Sequence, residues 1–340
     1  MAQKINITTL PTEERILYFQ KAAEIENKSV HIIEKDYWVC WLLEKLFSIK
    51  GVSEHLTFKG GTSLSKIYKV IERFSEDIDI SIERAFLGFT GDKDPEKMGS
   101  KKRNETLKEL SEACKKYVSS ELIILLEKEI KATQLAGDWA LTADPDDPDQ
   151  QTLLFHYPKS LKEDSQYVRP IIKIELGARS DHWPVSQQQI SSYLKQALGE
   201  TIEENIINIK VLNVERTFWE KATILHMYAH FPDDKIVPER QSRHYYDFYC
   251  LLISEFKITA AAEIKLLERV AEHKTIYFRA GWANYDTARK GTLRLVPPAL
   301  VLVKMEQDYV LMGEMFFGVV PGFDNIMATI AKFEEDFNTK

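Results

Sequence analysis

The run Asp77-Ile78-Asp79-Ile80-Ser81-Ile82 constrains this chain more than any other stretch. Isoleucine at every second position gives the two-residue period of a strand with one apolar and one polar face, because successive strand side chains point to opposite sides. Asp77 and Asp79 therefore share the polar side. Two carboxylates so placed can grip one hard cation, or a pair of cations about 3.5–4 Å apart. Aspartate is otherwise a poor choice for a solvated edge strand.

Upstream, Leu56-Thr57-Phe58-Lys59 reads as a short strand, Gly60-Gly61 as its terminating turn, and Thr62 or Ser63 as the cap of a helix running to about Ile71. Such a turn aims backbone N–H groups and a hydroxyl along the positive end of a helix dipole, where a phosphate is favourably held. Gly-Gly before a helix is by itself a common tight turn, and this one matches neither the Walker pattern nor a dinucleotide fingerprint. Further strands are expected over 152–157 and 170–177, with a third apolar run over 206–214. Within Lys173-Ile174-Glu175-Leu176-Gly177, Glu175 could bring a third carboxylate, or Lys173 a cation, to the acidic surface. A half-exposed strand would carry the same residues without any catalytic role.

Ile32, Ile33, Val39, Trp41, Leu42, Leu43, Leu46 and Phe47 recur at helical spacing, and a long helix is expected over 104–133. Asp144-Pro145-Asp146-Asp147-Pro148-Asp149 breaks regular structure; two prolines and no glycine do not suit a calcium loop, so it reads as a solvated turn. From Glu215 the pattern is helical, over 215–229, 243–253 and 260–272. Phe218, Ala222, Leu225 and Ala229 trace an apolar stripe with Lys221 at its rim, and Asp247, set among aromatics, calls for a partner such as Lys221. The expected architecture is an α/β core with a mixed sheet over residues 1–214, followed by a mostly helical domain over 215–340. His226 and His230 have zinc-chelating spacing, but no Glu follows the first His and no third ligand is evident, so a zinc site is set aside.

With 44% hydrophobic and 29% charged residues, the 340-residue chain is globular and not disordered. A net charge of -7 argues against a surface that is basic throughout. Lys101, Lys102 and Arg103, or Arg240, Arg243 and His244, could still form a local basic groove. Cys40, Cys114 and Cys250 lie in unrelated contexts and suggest no disulfide framework. No run is apolar enough for a signal peptide or a membrane span, and a cytoplasmic location is expected.

Taken together, Gly60-Gly61-Thr62-Ser63-Leu64, Arg73-Phe74-Ser75-Glu76-Asp77-Ile78-Asp79, Glu220-Lys221 and Arg243 to Asp247 resemble the ordered motifs of the AbiEii/AbiGii toxin family, nucleotidyltransferase-like toxins of type IV toxin–antitoxin and phage-defence systems. The resemblance runs from about residue 30 to about residue 255. It implies a polymerase-β-type nucleotidyltransferase core in which Asp77 and Asp79 bind Mg2+ or Mn2+; Glu175, from its strand position alone, is a further candidate ligand. Gly60, Gly61, Thr62, Ser63 and Ser75 would hold the nucleoside triphosphate. Lys221 would match the third motif's lysine and Asp247 the fourth motif's aspartate, so that the helical domain completes the active site. Some relatives add pyrimidine nucleotides to the tRNA 3′ end, which implies an RNA acceptor and a cognate antitoxin. The long insert between Ser81 and Pro170 is where the chain departs. Transfer to a protein or small molecule, and a non-catalytic nucleotide- or RNA-binding module, are the alternatives.

Overall fold

The computed structural model describes residues 4–75, 77–161 and 169–339. They divide into two compact units, one of residues 1–67 and 75–211, the other of residues 68–74 and 212–340.

The first unit opens with α1 (Thr12–Glu26) and α2 (Val30–Ser48). Ile33, Trp38, Leu42, Leu43 and Leu46 of α2 are fully buried, and so nearly are its charged residues Glu34, Lys35 and Asp36. A helix buried on all sides must pair its charges. Asp36 does so through Lys66 Nζ at 2.7 Å and the Tyr193 N–H at 2.7 Å, and Glu34 accepts from the Ser160 N–H at 2.6 Å.

Strand β1 (Leu56–Lys59) leads into α3 (Gly60–Lys66), and β2 (Ile78–Ile82) follows. Then come α4 (Ser100–Tyr117), a π-turn over Val118–Leu122 and α5 (Ile123–Lys131). Next in the chain are β3 (Ala140–Ala143), β4 (Thr152–His156), β5 (Ile171–Gly177), β6 (Val185–Ile190), α6 (Tyr193–Leu198) and β7 (Ile207–Leu212). Among the described residues the strands form one mixed sheet in the order β3-β4-β5-β2-β1-β7-β6. β2 runs antiparallel to β1 and parallel to β5.

The register sorts the two faces. Ile78 stands beside Ile174, Ile80 between Phe58 and Leu176, and Ile82 beside Leu56, all at most 7% exposed. Each side chain so buried contributes about 1.5–3 kcal/mol. On the opposite face Asp79 lies between Lys59 and Glu175, and Thr57 beside Ser81.

The second unit holds α7 (Val214–Ala229), α8 (Ser242–Ile253), α9 (Phe256–Ala262), α10 (Ile264–Tyr277), α11 (Ala299–Leu311) and α12 (Phe323–Thr339). Its core is aromatic: Phe218 meets Phe248 at 4.9 Å between ring centroids, and Phe333 lies within 5.8 Å of both.

Several expectations are corrected. Helix α3 ends at Lys66 instead of near Ile71, because the chain leaves at Tyr68 for the other unit and Lys69 takes a left-handed conformation (φ 52°). Strands β3 and β6 went unread because they close the two edges of the sheet and leave most side chains exposed or half-exposed, so neither carries a clean apolar alternation. The helix expected over 260–272 is broken at Glu263 into α9 and α10. The acidic loop is a mostly exposed turn except at Asp144, which is 5% exposed and pairs with Lys173 at 2.8 Å, while Asp147 accepts from the Asp149 and Gln151 N–H groups.

Candidate active site

In the first unit the glycine turn and the acidic strand meet. Gly60 opens α3 at φ +83°, and a Cβ built there would fall 1.8 Å from Asp79 Oδ2. The Asp79 carboxylate therefore occupies space that only glycine leaves open. Thr62, 1% exposed, donates its hydroxyl to the Asp77 carbonyl at 2.5 Å and lies 3.1 Å from the Ser75 hydroxyl. The first turn of α3 is thus stitched to the residues that lead into β2. Ser63 is fully buried and donates its hydroxyl to the Gly60 carbonyl at 2.8 Å, which turns that hydroxyl inward. Asp77 and Asp79 are half-buried.

Glu175 lies beside Asp79 on the neighbouring strand and is exposed. Lys173, two residues before it, feels the negative charge of Asp77; its hydrogen bond to Asp144 holds its ammonium above the usual range. Among the described residues no three Asp, Glu, His or Cys side chains form a closed metal cage. Carboxylate oxygens without thiolate or imidazole suit a hard divalent ion such as Mg2+, which keeps several waters and takes the rest of its coordination from phosphate oxygens. The donor set of Asp77, Asp79 and the neighbouring Glu175 fits such an ion.

Lys221 and Asp247 come together in the second unit. Asp247 is fully buried and accepts from Lys221 Nζ at 2.7 Å; Arg73 grips it with both arms, Nε to Oδ1 at 2.7 Å and Nη2 to Oδ2 at 2.8 Å. Burial disfavours its charge, yet Arg73 and then Lys221 hold the carboxyl well below the usual range. Burial pushes the Lys221 ammonium down, with Asp247 opposing, and pushes the His244 imidazole far down, so that ring is neutral. His244 Nδ1, 3.0 Å from Lys221 Nζ, accepts from it. Lys221, 7% exposed, is embedded and not at a rim.

Sequence reasoning missed Arg73 as a partner of Asp247, although it stood in the acidic motif. A carboxylate buried among aromatics facing one lysine should have prompted a search for a second cation. His226 and His230 are accounted for without metal. The His226 ring accepts from the Arg294 N–H at 3.0 Å and donates to the Asn284 carbonyl at 3.0 Å, while His230 donates to the His226 carbonyl at 2.9 Å. Of the candidate basic groups, Arg103 is spent on the Pro95 and Met98 carbonyls, and Lys101 and Lys102 are exposed.

A sequence model of one family, described as nucleotidyl transferase AbiEii toxin of a type IV toxin–antitoxin system, matches residues 41–329. No curated protein sequence matches the chain. Among solved structures, MenT4, a nucleotidyltransferase toxin from Mycobacterium tuberculosis, aligns at 14% identity over 96% of this chain and 95% of its own, with a TM-score of 0.42. JHP933 from Helicobacter pylori aligns at 14% identity over 94% and 97%, with a TM-score of 0.31.

Proposed function

The chain belongs to the AbiEii nucleotidyltransferase toxin family of type IV toxin–antitoxin systems, and from that membership we propose that it transfers a nucleoside monophosphate from a nucleoside triphosphate to a hydroxyl of an RNA acceptor such as the tRNA 3′ end. The observation that carries this reading is the Asp79 carboxylate held against the α-carbon of Gly60. Acid and glycine turn are built as one object, which a solvated edge strand would not require.

In the proposed step the acceptor oxygen attacks the α-phosphorus, the bond to the bridging oxygen of the β-phosphate breaks, and pyrophosphate leaves as the hydroxyl proton passes to solvent. Mg2+ or Mn2+ held by Asp77 and Asp79, with Glu175 as a further ligand, would neutralise charge on the phosphate oxygens. The residues themselves supply positioning, which phosphoryl chemistry needs more than covalent help. Gly60 and Gly61 let the backbone approach the phosphates. Thr62 fixes that turn against Asp77, and Ser75 offers a hydroxyl beside it. Lys221, its ammonium fixed by Asp247, and Asp247, gripped by Arg73, are the second unit's candidates for the groups that the family resemblance implies. A cognate antitoxin is the protein partner this family membership supports.

The test replaces Asp77 or Asp79 with Asn and follows label from each α-32P triphosphate into total RNA. Loss of labelling with an unchanged melting midpoint supports the assignment, and a variant that labels as the wild type does sinks it. Label in protein or in small metabolites in place of RNA would move the acceptor to that class. Triphosphate binding without metal dependence or product would make the chain a binding module.

A further inference from the structure

Between α10 and α11 the chain runs from 278 to 298 with only a three-residue turn, Tyr285–Thr287, as regular structure. Connections this long without structure of their own are uncommon in compact domains and are mostly functional. Side chains from two other helices, α7 and α12, hold it in shape. His226 on α7 pins the Arg294 N–H and the Asn284 carbonyl. On α12, Glu334 accepts from the Leu295 and Val296 N–H groups, and Asn338 bonds both the N–H and the carbonyl of Leu293.

The loop carries four basic residues, Arg279, Arg289, Lys290 and Arg294, against the single acid Asp286, in a chain whose net charge is -7. All four cations are exposed, and none forms an ion pair among the described residues. The cations buried in the same unit, Arg73, Arg216 and Lys221, are all paired. Beside Arg294 opens a cavity of about 570 Å³ lined also by His230, Thr287, Thr292 and Asn338, and its one carboxylate, Glu334, is engaged by backbone N–H groups. That volume is in the range of small-ligand sites. Phe278, 43% exposed, offers a ring at the start of the same loop.

We propose that this loop docks RNA, with Arg289, Lys290 and Arg294 on successive phosphates and an unstacked nucleotide in the cavity. Exposed cations on one loop, with a cavity bounded by hydroxyls and an amide beside Arg294, suit single-stranded RNA better than an acidic protein, which needs no cavity. The inference rests on the reading of RNA as acceptor and names the surface that would hold it. On α7, His226, which holds the loop, follows Lys221 by five residues, about 140° around the helix, so the loop lies away from the Lys221 face of that helix. It is a surface apart from the Lys221–Asp247 pair.

The test measures fluorescence anisotropy of fluorescein-labelled tRNA with the full-length protein, without triphosphate, across a KCl series. Replacing Arg289, Lys290 and Arg294 together with Gln should weaken binding at least about tenfold and reduce the slope of log K against log salt by about 2. Removing equal charge with Lys108→Gln, Lys116→Gln and Lys128→Gln should leave both unchanged. The proposal is overturned if the loop variant binds tRNA with wild-type affinity and slope, or if it loses only polyglutamate binding. A protein that binds tRNA through this loop yet labels no RNA would sink the transfer reading and keep this one.

Discussion

Gly60 and Asp79 define each other: with any side chain at residue 60, the Asp79 carboxylate could not stay where it is, because a Cβ there would fall 1.8 Å from Oδ2. Gly60→Ala also forces an L-residue to φ +83°, which costs about 1–2 kcal/mol. Nucleotide transfer should fall at least about a hundredfold, about 2.7 kcal/mol in the barrier, while the protein still folds. Labelled-nucleotide incorporation and a thermal melt, run in parallel, check this. Full activity in Gly60→Ala would remove the basis for placing the site here.

Removing divalent ions makes a second test. Chelation with EDTA should abolish transfer, and Mg2+ or Mn2+ should restore it in the wild type but not in Asp77→Asn. Transfer that continues in EDTA would show that the carboxylates act in some other way.

In the second unit, Asp247 balances two buried cations. Asp247→Asn strands both Arg73 and Lys221 and should cost about 3–5 kcal/mol. Lys221→Met leaves the two-armed Arg73–Asp247 pair intact and should cost clearly less stability. Urea unfolding of the two variants checks the order, and equal losses would contradict this account of the cluster.

Buried imidazoles make stability depend on pH. Burial holds His226 neutral, lowering it from its ordinary 6.5 to about 4. Its contribution is therefore complete above pH 6.5 and declines as pH falls toward 4, because the unfolded chain takes up a proton that the fold refuses. Glu34, Asp36 and Glu204, raised by burial, act in the opposite direction, so only a comparison isolates the histidine. The stability gap between wild type and His226→Gln should shrink by up to about 1.4 kcal/mol per pH unit below 6.5. A gap that stays constant between pH 7 and pH 5 would contradict the neutral assignment.

The parts legible in the sequence were those with a strong local pattern. Isoleucine alternation located β2, and the Gly60-Gly61 pair located the strand-to-helix turn in front of it. The demand of a buried carboxylate for a counter-charge led to the Lys221–Asp247 pair. Less legible were features set by distant residues. Arg73 stands 174 positions from Asp247, and no local periodicity announces such a pairing. Asp144 looked like one solvent-facing acid among several until Lys173 on β5 claimed it. Edge strands such as β3 lack the clean alternation that the search for strands relies on. Ser63 was expected to offer a hydroxyl, but the fold turns that hydroxyl inward onto Gly60, a choice between two acceptors that sequence alone leaves open.

The short excursion of residues 68–74 restricts how this gene can be cut or recombined. The polypeptide visits the second unit for seven positions, bonding Arg73 to Asp247 and the Phe74 N–H to the Met315 carbonyl, then returns at Ser75, two residues before Asp77. A stop codon after Val211 would not release a free-standing catalytic half: it would leave Arg73 and Phe74 searching for anchors no longer encoded. Exchanging the carboxy-terminal portion between relatives would likewise require bringing this heptapeptide along.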